Sequence, residues 1–179
     1  MSREGEIAAL GNQIKEEILR LDSSIEFRPG LDSEILRESF KQIRFNPPDE
    51  IIDLYSWHDG SYDIEILPGA CYFPFATSLE NHKRTNSIYG FLGKKKNFRF
   101  LSDFSDGGYG IAQPKHGSHV IQRCIHAPWE VGFDSLQRLL DFSLTCYKSD
   151  VFFFSDGSIE PDWDRYGELE DDRDPQKGG

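Results

Sequence analysis

His116 and His119 stand three residues apart, with His126 a short stretch beyond. Clustered histidines are a common start of a zinc site. Here Gly117-Ser118 puts the pair in a turn, and no acid or cysteine is placed with them. Exposed loop histidines are the simpler reading. Residues 162–173, DWDRYGELEDDR, imitate a calcium loop at its first, third and sixth positions. The twelfth position holds Arg173 where a bidentate Glu is needed, and flanking helices are not predicted. No metal and no cofactor is expected. Asp103 and Asp106 flank the Gly107-Gly108-Tyr109-Gly110 turn. They are spaced for an acid/base pair, although Asx-type turn bonding explains them as well. Neither a G-x-S-x-G elbow nor a phosphate-binding glycine loop is present. The most site-like stretch is NPPDEIIDLYSWHDG, residues 46–60, where His58 stands between Asp53 and Asp59.

Composition narrows the function classes. The chain has 179 residues and a formal net charge of −11, which disfavours nucleic acid as a partner. Residues 156–174 hold nine acids and two arginines, so they carry −7 and the remainder only −4. Such a segment suits a basic partner, or serves as a solvated tail. Three widely spaced cysteines, Cys71, Cys124 and Cys146, do not form a disulfide framework and suit a reducing compartment. With no apolar leader at residues 1–17 and no run of about 18 apolar residues, the expectation is a cytoplasmic protein without membrane contact. Phe occurs 14 times and Met once, which predicts an aromatic core.

The elements that must position these residues follow from periodicity. Ile7, Leu10, Ile14, Ile18 and Leu21 mark one face of a helix over 2–21. Asp32 caps a second helix over 32–43, with Ile35, Leu36, Phe40 and Ile43 as its stripe. Asn46 as cap and Pro47 at the first helical position predict a third helix, which Gly60 ends. Between Tyr62 and Phe75 lie short apolar runs broken by Pro68-Gly69 and Pro74. Thr77 and Glu80 form a capping box that opens a short helix through about residue 90. Three strands, 98–103, 108–113 and 119–126, with short turns between them, predict an antiparallel meander. Asp134-Ser135-Leu136-Gln137 starts a helix over about 134–148, and 151–154 forms a short strand. The expected fold class is α+β, one domain over 1–179. A central, mostly antiparallel sheet is flanked by N-terminal and C-terminal helices, with a core at about 30–160 and an acidic, turn-rich tail at 156–179.

Four segments resemble the SUKH superfamily, which contains the fungal Smi-one/Knr-four cell-wall regulators and many bacterial toxin-immunity proteins. They are PPDEIIDLYSWHDG, FPFATSLE at 73–80, FLSDFSDGGYGIAQ at 100–113, and LQRLLDFSLTCYKSDVFFFSDGSIEPD at 136–162. The resemblance covers roughly residues 30–160. It implies that Trp57 is a packing anchor and Gly60 a helix stop. It also implies that His58 and Asp59 form an exposed protein-binding rim, although His58 shares the face of Leu54 and is equally placed for the core. The function it implies is a non-enzymatic domain that neutralises a basic, nuclease-type toxin by direct binding. A regulatory scaffold in cell-wall synthesis or signalling is the alternative, and an enzyme built on Asp103 and Asp106 a third. The partner surface is expected to include His58, Asp59, Asp103, Asp106, Asp162, Trp163 and Asp164.

Overall fold

In a computed structural model, residues 5–89, 97–103, 108–112, 119–124 and 130–173 are described. Helix α1, Glu6–Leu21, buries Ile7, Ile14 and Ile18, while Leu10 and Leu21 are half-buried against the core. Helix α2, Ser33–Gln42, is capped as its sequence predicts: Asp32 accepts the N–H groups of Glu34 and Ile35 at 2.9 and 3.1 Å. It buries Leu36 and Phe40, but Ile35 points outward and is 62% exposed.

Helix α3 runs Asp49–Trp57 and starts later than expected. Pro48, not Asn46, stands at its cap, with ψ 156°. A proline disfavours helical ψ in the residue before it, so Pro48 keeps Pro47 out of the helix. After α3, Gly60 adopts φ +62° at the turn into strand β1, and a Cβ there would lie 2.3 Å from the Phe73 carbonyl oxygen. Glycine is required at that point.

Six strands follow: β1 Ser61–Leu67, β2 Ala70–Tyr72, β3 Asn97–Asp103, β4 Gly108–Ala112, β5 Val120–Cys124 and β6 Glu130–Phe133. Each pairs antiparallel with the next, in the order β1-β2-β3-β4-β5-β6. Helix α4, Phe75–Tyr89, is inserted between β2 and β3. It begins two residues before the Thr77 capping box, because its first N–H, that of Phe75, is taken by Asp59 Oδ1 at 2.9 Å. The Thr77 hydroxyl instead accepts from Tyr62 Oη at 3.3 Å.

Helix α5, Leu136–Lys148, is capped by Ser135, one residue past the expected Asp134: the Ser135 hydroxyl accepts from the Arg138 N–H at 3.2 Å. Its buried face carries Leu136, Leu139, Leu140, Leu144 and Tyr147. Two α5 side chains reach β1, where Tyr147 Oη donates to the Glu65 carbonyl at 2.6 Å and Ser143 Oγ to that of Ile66. Strands β7, Phe152–Ser155, and β8, Ser158–Pro161, make a separate two-stranded sheet. The expected turn-rich tail is helix α6, Trp163–Arg173. The fold is α+β: the described residues form six helices, a six-stranded antiparallel sheet and a small hairpin. One connected apolar cluster reaches from Ile7 to Tyr166. The aromatic composition is its chemistry: Phe40, Phe45, Phe75 and Phe98 meet at centroid distances from 4.8 to 6.2 Å.

Candidate functional site

His58 does not sit on a rim. It closes α3 in an extended conformation and is 2% exposed, which corrects the expectation of an exposed pair at the helix end. The shared face with Leu54 prevails, because the ring enters a pocket of aromatic side chains: Phe27 meets it edge-on at 5.0 Å, and Trp57 and Tyr72 lie at 5.4 and 6.0 Å. The Gly60 N–H donates to its Nδ1 at 2.7 Å, so the neutral ring carries its proton on Nε2. Nε2 is buried with no partner among the described residues. Burial pushes the imidazole down to about 4, and the positive charges of Lys15 and Arg28 push the same way. A neutral, enclosed imidazole of this kind neither ligates a partner nor serves as a surface base.

Asp59 is half-buried and committed to the α4 amide described above. Trp57 is an anchor, but against α1 and not under the sheet. Its Nε1–H donates to Asn12 Oδ1 at 2.9 Å, and its ring lies over Gly11, where a Cβ would stand 2.7 Å from two ring carbons. Asp103 ends β3 opposite Ala70, and Asp106 lies outside the described residues, as do His116 and His126. His119 Nε2 lies 3.3 Å from the Asn46 carbonyl oxygen. Among the described residues no three His, Cys, Asp or Glu side chains converge as metal ligands. Cys71 and Cys146 are free thiols, pushed up by burial to about 11 and about 12, so neither is a thiolate at neutral pH.

The remaining three predicted residues begin α6. Asp162 is its cap, accepting the Arg165 N–H at 3.0 Å, while its own N–H donates to the Val151 carbonyl at 2.7 Å. Its role at this point is structural. Tyr166 is buried and meets Phe142 at 6.0 Å. At the far end, Arg173 Nη1 donates to the Gly132 carbonyl at 2.6 Å, and its guanidinium lies 4.2 Å from the Phe133 ring centroid. Pinned at both ends, α6 turns Asp164, Glu168, Asp171 and Asp172 to solvent. Trp163 is 56% exposed and leans edge-on against Tyr166 at 6.1 Å. The tail-anchoring role thus falls to Tyr166 and Arg173, and Trp163 is left largely open.

Sequence reasoning passed over a second acidic region. A groove of about 510 Å³ opens between the end of α1 with the loop after it, strand β1, and the β7–β8 hairpin. Asp22, Glu26, Asp63 and Glu65 line it. The alternation Tyr62-Asp63-Ile64-Glu65 was the available signal, since an amphipathic strand sends its acids to one side.

The chain matches no protein-family model, and no curated protein is similar to it. Among the described residues no helix is long and apolar enough to cross a membrane.

Proposed function

We propose that this chain is a non-enzymatic protein-binding domain that neutralises a basic, toxin-type partner by direct contact. The observation that carries the reading is α6, an anchored helix that holds an open tryptophan beside a solvent-facing row of carboxylates. Aromatic side chains ringed by charge are typical anchors of protein interfaces. The charge bias agrees, because residues 156–174 contribute most of the net −11. Complementary charge accelerates encounter with a basic surface and fixes its register. The similarity of the four segments to SUKH immunity proteins supports the same role.

The test starts with affinity capture by the full-length chain in its native host. The expected partner is a basic protein whose toxicity is suppressed by co-expression. Its association at low salt should slow severalfold for Asp164→Lys/Glu168→Lys, with circular dichroism unchanged. Loss of Trp163 to Ala should speed dissociation. An acidic partner, or association rates untouched by the charge reversals, would remove α6 from the mechanism.

A further inference from the structure

The groove beside β1 combines two properties that point to one kind of occupant. Its apolar surface comes from the exposed Tyr62 and the half-buried Ile25 and Ile159, over a floor of the buried Ile18, Ile64 and Tyr147. Its charge is of one sign: four carboxylates line it, and among the described residues no Lys, Arg or His does. None of the four is in an ion pair among the described residues. Asp22 accepts from Ser24, Asp63 from the Ser61 hydroxyl and Glu65 from the Gly69 N–H, all of them neutral donors. The Glu65 carboxyl is accordingly raised above the usual range, by burial first and by the Glu160 charge as well. Its wall is β1, which among the described residues pairs only with β2, with its register broken between Ser61 and Glu65 and again before Leu67. The Asp63 N–H donates to Ser61 Oγ, and the Glu65 and Ile66 carbonyls accept from Tyr147 and Ser143, so this wall offers side chains and not a free strand edge.

We propose that this groove is a docking site for an extended basic segment of a partner protein, with Lys or Arg stems on the apolar surface and cationic heads among Asp22, Glu26, Asp63 and Glu65. Long cationic side chains are suited to this mix, because the stem prefers apolar contact while the head stays with charge and water. A protein segment brings several such stems at once to the four carboxylates, which a small polyamine does not. The proposal rests on the reading of the chain as a binder of basic proteins and names a second surface for it.

The probe is an acetylated, amidated peptide of alternating lysine and valine, titrated into the full-length chain and followed by amide NMR. Shifts are expected at residues 22–26, 62–65 and 157–159. Glu26→Gln/Asp63→Asn, which keeps the shapes and the Ser61 hydrogen bond, should bind roughly tenfold more weakly, as expected for loss of two rim charges at low salt. Glu34→Gln/Glu38→Gln on α2, which lines neither the groove nor α6, should bind as the parent does, and Asp164→Asn/Glu168→Gln reports on α6. Shifts clustered elsewhere, or undiminished affinity in the first variant, overturn the groove. Spermidine binding there as tightly as the peptide overturns it too, by making the occupant a polyamine. If affinity follows the α6 variant instead, the groove falls while the broader reading stands. Failure of the broader reading shows separately, as the absence of a basic partner in the capture experiment.

Discussion

At His58 two consequences of burial coincide: the ring is held neutral, and its Nε2–H has no acceptor among the described residues. An unsatisfied buried donor costs about 1–3 kcal/mol. The pH response has a definite sign. Unfolded, the imidazole takes a proton near its ordinary 6.5; folded, it resists down to about 4. Its contribution is therefore whole above pH 6.5, declines as pH falls toward 4 and is lost below, a change of ~3 kcal/mol. Denaturant titrations across that window should show a steeper loss for the parent than for His58→Gln. Beside it, Gly11 and Trp57 form a testable pair. Alanine is the better helix former by about 1 kcal/mol, yet Gly11→Ala should destabilise, since its methyl meets the indole. Trp57→Ala should cost about 2–3 kcal/mol, less than a fully buried ring would. In the double variant Gly11→Ala should become neutral or stabilising, and additive losses would contradict the contact.

The helices of this chain were legible where cap and stripe lie within one segment, as with Asp32 and the Leu36–Phe40 face of α2. They were misplaced where a distant residue supplies the cap. Helix α4 starts at Pro74-Phe75 because Asp59, on the far side of β1 and β2, reaches its first amide. No local pattern announces such a bond. Asp59→Ala should therefore cost ~1 kcal/mol and raise hydrogen exchange at Phe75 and its neighbours, leaving the end of α3 protected. Strands β6 and β8 escaped notice because they are four residues long, one interrupted by Gly132 and the other ended by Pro161. Helix α6 was hidden by its charge. Only Tyr166 is buried along it, too little apolar periodicity to separate it from a solvated tail. The residues expected at a partner surface fared unevenly for the same reason. Trp163 and Asp164 stay open, whereas Asp162, Asp59 and His58 were consumed by capping and packing. Tyr166→Ala should release α6, seen as lost helical circular dichroism and new protease cleavage after residue 162 with the sheet intact; an unchanged digest would show that Arg173 holds the helix alone.

Across the whole molecule, a net charge of −11 means self-repulsion, concentrated on α6 and around the groove. Raising salt from 0.01 to 0.15 M shortens the screening length from ~30 to ~8 Å, so the melting temperature should rise. A fall would show that specific ion pairs dominate instead. The six strands add in sequence order, so the sheet assembles from neighbour onto neighbour. Helix α1 breaks that locality, because it packs on α5, near the other end of the described chain, as well as on α3. During synthesis, which proceeds at about 5–20 residues per second, this has a cost in time. The Ile7-Ile14-Ile18 stripe leaves the ribosome well before its α5 seat, residues 136–148, which is made only after the six-stranded sheet. For those seconds the nascent chain carries an apolar helix that has only α3 to cover it, a natural point of attachment for a chaperone.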